Sequence, residues 1–171
     1  VASTLTGLAS AASWMGDYPL AEHYQREALG IFQATVSRNH PDHAIALATL
    51  GDILTQRGKY PEAEQDLNEA LQIEHEVFGA DNQRTASIHA NLGILYARQG
   101  DTARAIASTQ TALKITRERL GPNHYLVGYY LDSLANLYLK ADDLRTAEAD
   151  ARQALAVYAK SLPARHLYVA S

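Results

Sequence analysis

The chain has 171 residues, enough for one domain with a substantial core. Its 47% hydrophobic and 20% charged residues exclude a disordered composition, and the absence of cysteine excludes disulfides and cysteine-ligated zinc. A formal net charge of -4 is too small to argue for nucleic acid or a membrane; no apolar run approaches the roughly 20 residues that cross a bilayer, and no signal peptide is visible.

Ala and Leu dominate and β-branched runs are missing, so an all-α fold is expected. The chain begins at Val1, near the start of a helix, and reads as a piece of a longer protein. The first predicted helix spans 3–15 and stops at Gly16. "GDYPLAEHYQREAL" (Gly16 to Leu29) then opens a second helix over 18–37. After "RNHPDHA" come helices over 42–57 and 60–78, the latter opened by "GKYPEAEQDLNEAL" (Gly58 to Leu71). After "GADNQRTA" come helices over 84–99 and 102–120, and after "GPNHYLVG" helices over 125–141 and 144–160. A ninth helix starts near residue 165, within "PARHLYVA" (Pro163 to Ala170), and is cut off.

Each phrase recurs 42 residues later, so one two-helix unit (helix A, then helix B) is written four times. The repeats are 1–39, 40–81, 82–123 and 124–163, followed by a partial helix over 164–171. Leu8, Leu50, Leu92 and Leu134 share a column; beside it stand Ala9, Gly51, Gly93 and Ala135, small enough for a neighbouring helix to approach. Gly16, Gly58, Gly100 and Asp142 form the breaker column, because glycine accepts the left-handed end of a helix without penalty. Ala21, Ala63, Ala105 and Ala147, with Ala28, Ala70, Ala112 and Ala154 seven residues on, line one stripe of helix B. Neither helix can bury its stripe alone, so the units must stack.

Leu92, Gly93 and Tyr96 with His89 in helix A, and Ala105 and Ala112 in helix B, resemble the tetratricopeptide repeat (TPR). The 42-residue period and the junction column His40, Asn82, His124, His166 look like the kinesin light chain type of that repeat. The resemblance covers the whole chain. It implies a right-handed all-α solenoid of antiparallel helix pairs, with the A helices lining a concave wall. The wall residues are those outside the packing columns: Ile45, Ala48, Thr49, Asp52, Thr55 and Gln56 in the second repeat, for instance. From the wall, Thr49, Asp52, Gln56, Asn91, Ile94, Arg98, Tyr129, Asp132, Asn136 and Lys140 are the expected peptide- or protein-binding residues. Asn and Asp there can bond an extended peptide backbone, while side-chain pockets add selectivity. Of the adjacent Asn pair common in kinesin light chain repeats, only Asn91 is present, and of the carboxylate-clamp positions of chaperone-binding TPRs only Asn136 fits.

No motif carries chemistry, and no catalytic residue, metal or cofactor is expected. "HPDH" (His40 to His43) has the residue types of a small metal site, but His40 belongs to a once-per-repeat column, which points to a junction role at a helix end. "GDILTQRGKY" fails as a phosphate loop: six residues separate Gly51 from Gly58 and Tyr60 follows Lys59. Charge is uneven, with 2 basic and 9 acidic residues over 40–81 and 6 basic and 2 acidic over 82–123. Ion pairs between neighbouring B helices account for this, with Glu62 and Arg104 in one column; the sharper reading is a bipolar docking surface.

The function expected is therefore a protein–protein interaction module that holds a peptide or protein segment on the concave surface. The alternative is a regulatory or assembly segment of a larger signalling or catalytic protein, acting through the convex face or the repeat ends. Nucleic acid and membrane are not expected partners, and the location expected is the cytoplasm of a bacterium. Trp14, late in the first helix, is expected to be exposed, and the apolar ends of the truncated array allow end-to-end self-association.

Overall fold

A computed structural model of the protein describes residues 1–35 and 39–161. The described residues form helices and no strand: α1 (Ala2–Trp14), α2 (Tyr18–Thr35), α3 (Pro41–Gln56), α4 (Tyr60–Phe78), α5 (Gln83–Gln99), α6 (Thr102–Leu120), α7 (Tyr125–Lys140) and α8 (Leu144–Ser161). Each expected helix is present within a residue or so at its described ends. The expected helix over 164–171, with His166, lies outside the described residues. Among the described residues no helix is long and apolar enough to cross a membrane.

The chain divides into two compact units, Val1–Asp81 and Asn82–Ser171. In the first unit α1 packs on α2, α2 on α3 and α3 on α4; in the second the same order runs from α5 to α8. The A helices are α1, α3, α5 and α7.

The breaker column does what its composition dictates. Gly16, Gly58 and Gly100 have φ of 78°, 74° and 83°, and Asp142, the one non-glycine of the column, has φ 60°. The junction column caps the next A helix. The His40 imidazole accepts from the Asp42 N–H at 3.2 Å and that of His124 from the Leu126 N–H at 3.3 Å. Asn82 forms a full capping box: its Oδ1 accepts from the Arg84 and Thr85 amides, and Thr85 Oγ1 accepts from the Asn82 amide. Asn82→Ala is therefore expected to lower the stability of the second unit by about 1 kcal/mol, read as a shift in its urea midpoint.

Packing follows the small-residue column. A Cβ added to Gly51 would lie 2.7 Å from Leu67 Cγ, and one added to Gly93 would lie 2.5 Å from Thr109 Oγ1. Each of these two A helices thus meets its own B helix where the glycine makes room. Around α7 the core gathers Leu113, Val127, Tyr130, Leu131, Leu134 and Val157; around α1 it gathers Ala9, Ala12, Ala21 and Ile53.

One link between repeats is ionic. Glu22 of α2 is buried, at 6% exposure, beside the turn from α3 to α4. Its carboxylate accepts from Lys59 Nζ and Arg26 Nε, both at 2.9 Å, and from Arg57. Repeats one, three and four place Asp17, Asp101 and Asp143 at the start of helix B, where each carboxylate caps the helix. Repeat two places Lys59 there; it forms no side-chain cap and spends its ammonium on Glu22.

Of the expected ion pairs between neighbouring B helices, one is made by Glu62 with α2, while Arg104 also bonds at the start of its own helix. Glu62 pairs with Arg26 at 2.7 Å, and Arg104 bonds Asp101 at 2.6 Å and lies over the Tyr96 ring. Side-chain reach is why: Arg26 lies opposite Glu62 across the α2–α4 groove, while Asp101 is one turn from Arg104 at the start of the same helix. Asp66, between Glu62 and Glu69, is pushed up to about 6, by burial first and by those two carboxylates, with Arg26 pulling the other way.

Candidate functional site

In the second unit α5 and α7 lie side by side over α6, and their facing residues line a half-open cavity of about 250 Å³. Helix α5 contributes Ala90, Gly93, Ile94 and Ala97, spaced by three or four residues and so on one stripe. Helix α7 contributes Tyr129, Tyr130, Ser133, Asn136, Leu137 and Lys140, again at helical spacing. Among the described lining residues, Thr109 of α6 is the only one from a B helix. The walls are mainly apolar. Tyr129 and Tyr130 stand edge to face with centroids 5.5 Å apart. Asn136 and Lys140 supply the polar end, and Lys140 is the one charged side chain among the described lining residues.

Four of the ten expected binding residues meet here: Ile94, Tyr129, Asn136 and Lys140. Asn91, Arg98 and Asp132 are carried by the same two helices but do not line the cavity. Asp132 lies toward α8, where burial first and then its charge raise the Tyr158 phenol. Its backbone carbonyl accepts from Asn136 Nδ2 at 2.9 Å. Thr49, Asp52 and Gln56 sit half-buried on α3 in the first unit. The Thr49 hydroxyl donates to the Ile45 carbonyl at 2.9 Å, and Gln56 Nε2 donates to Asp52 Oδ1 at 3.5 Å.

One wall residue is corrected. Thr55 is buried, its hydroxyl donating to the Gly51 carbonyl at 2.8 Å, because that turn of α3 faces α4. Sequence reasoning missed Thr109 and Tyr130. Neither falls in a column assigned to packing or to the wall, and only a comparison of side-chain sizes down its column would have singled out Thr109.

Tyr130 is buried, and burial, with Tyr129 and Tyr125 nearby, holds its phenol above the usual range. A neutral phenol suits a site that binds by packing and hydrogen bonding. His40 is committed to its cap and His43 is buried inside α3. Among the described residues no three His, Asp or Glu side chains gather in a way that would hold a metal ion.

The sequence matches the family model for the tetratricopeptide repeat over residues 1–73, 50–118 and 84–160. No curated protein matches it. Among solved structures it is similar to BtubC (BKLC) from P. vanneervenii, with a TM-score of 0.83 at 26% identity over 92% of this chain. The match covers 63% of BtubC, so the chain spans less than two thirds of that relative's length. The nearly identical TPR-like repeats of a Podosopora anserina protein named for the kinesin light chain align with a TM-score of 0.82 at 19% identity, over 96% of this chain and 78% of that one. A point variant of those repeats gives 0.81 at 19% identity, over 96% and 77%. At that identity the likeness is one of fold.

Proposed function

We propose, since the chain belongs to the tetratricopeptide repeat family, that it binds a peptide or protein segment on the concave surface lined by its A helices. Repeats of this family are generally protein–protein interaction modules. The observation that carries the reading is the cavity between α5 and α7, apolar inside and edged by Asn136 and Lys140. Apolar depth with a few placed polar groups is the usual form of a recognition pocket. Ile94, Tyr129, Asn136 and Lys140 form the central contact. Asn91, Arg98 and Asp132 extend it on the same two helices, and Thr49, Asp52 and Gln56 offer a polar surface on α3 of the first unit.

A second reading has one observation in its favour. Trp14 is 91% exposed, with Met15 beside it, at the end of α1. That apolar surface suits an assembly role through a repeat end, with a folded partner or a second copy of the chain.

The test is a library of unstructured peptides screened against the wild-type chain and an Asn136→Ala, Lys140→Glu variant. A shared motif, bound at least about 10-fold more weakly by the variant, is the expected result. Equal binding by both sinks the site assignment. An absence of binders moves the weight to the assembly reading.

A further inference from the structure

We infer that Thr109, a buried residue of α6 outside the groove helices, sets the depth of the cavity and makes it select a partner segment that inserts one large apolar side chain. This rests on the peptide-binding reading above.

The reason lies in one column. Gln25, Leu67, Thr109 and Ala151 occupy the same position on successive B helices. In the first unit Gln25 is fully buried and its Nε2 reaches across to the Ala46 carbonyl on α3 at 2.9 Å, filling the space between α2 and the next A helix. Leu67, also fully buried, extends past Gly51. Thr109 is shorter than either. Its hydroxyl turns back to the Ala105 carbonyl at 2.8 Å and its side chain stops against Gly93. On α7 the position equivalent to Ala46 is Tyr130, whose buried ring takes part of the volume that Gln25 takes up in the first unit; the rest is open above Thr109, 5% exposed, at its floor.

The walls above that floor name the guest. Ile94, Tyr129, Tyr130 and Leu137 offer apolar and aromatic surface. A cavity of about 150 Å³ takes up a benzene ring, so the 250 Å³ here has room for a single ring or a branched aliphatic side chain. Lys140 at the rim, with no carboxylate among the described lining residues, complements a neutral or acidic neighbour on the partner and repels a basic one.

The variant that tests this already has its precedent in the fold. Thr109→Leu beside Gly93 reproduces the Leu67 and Gly51 pair on the α5 side, and its added bulk goes into the cavity toward Tyr130. Thr109→Ser keeps the cavity open. Amide chemical shifts of the 171-residue chain would be followed by NMR during titration with N-acetyl-phenylalanine amide and with N-acetyl-alanine amide. The wild type and Thr109→Ser should show saturable shifts at Gly93, Ile94 and Ser133 with the phenylalanine probe, about 10-fold weaker with alanine. Thr109→Leu should lose that preference while melting within a few degrees of the wild type. Unchanged binding in Thr109→Leu, or no saturable shift at these amides in the wild type, overturns the inference. The two failures are separable. If library peptides bind but Thr109→Leu binds them as well as the wild type does, the role of Thr109 falls and the groove reading stands. If no library peptide binds, the groove reading falls, and this inference with it.

Discussion

Replacing Glu22 by Gln is expected to cost the first unit about 2 kcal/mol at pH 7 and almost nothing near pH 2. Burial alone would raise this carboxyl, but Lys59, Arg26 and Arg57 together outweigh it and hold the group at about 2, against an ordinary value of 4.5. The folded value lies below the unfolded one, so between those two pH values the unfolded chain binds more protons. The stability that Glu22 confers is complete above about pH 4.5 and is lost as the pH falls toward 2. The shift corresponds to roughly 3 kcal/mol at about 1.36 kcal/mol per unit. The three cations are each partly exposed, and water screens part of that, leaving about 2 kcal/mol. The melting temperature at pH 7 should fall by about 4–8 °C, with faster amide exchange in α2, α3 and α4. A loss of equal size at pH 2 and pH 7 would mean that Glu22 acts through packing and not through its charge.

The second large effect lies at Gly51. Gly51→Ala improves helix propensity by about 1 kcal/mol but drives a methyl to 2.7 Å from Leu67 Cγ and 3.2 Å from the Ala63 carbonyl. Leu67 is fully buried and its branching carbon cannot swing aside, so the net expectation is a loss of about 1–3 kcal/mol. Leu67→Ala alone should cost about 2–5 kcal/mol by opening a cavity. The informative variant is the double one. Ala at both positions repeats the Ala135 and Ala151 pair of the fourth repeat, so Gly51→Ala should be silent or mildly stabilising once Leu67 is gone. A double-mutant cycle by urea unfolding measures this as a coupling of about 1–3 kcal/mol. Strictly additive losses would falsify the close-approach account.

Much of the fold was legible because it is written in one dimension. A 42-residue period identifies positions that do the same job. The left-handed breakers at Gly16, Gly58, Gly100 and Asp142, and the caps at His40, Asn82 and His124, follow from local chemistry within a few residues. The site was legible only in part. The period separates the residues of each A helix outside the packing columns from those within them, and among the former are Ile94, Tyr129, Asn136 and Lys140, which line the cavity. It misplaced Thr55, whose column mixes wall and core, and passed over Glu22, although Lys59 in an aspartate column was a visible sign that repeat two spends that residue elsewhere.

The sequence by itself determined the eight helices of the described residues, most of their ends, and which residues are equivalent, because capping, helix termination and amphipathic spacing are set by neighbours along the chain. Tertiary structure decided which side chains meet. Arg26 finds Glu62, 36 residues on, a distance that is not a multiple of the period and depends on how far α2 is offset from α4. Thr109 becomes the floor of a cavity only because α7 passes above it, and Gly93 is indispensable only because α6 comes that close. Those relations depend on the distance and offset between packed helices, which arise from the fit of all their side chains at once and are carried by no single stretch of sequence.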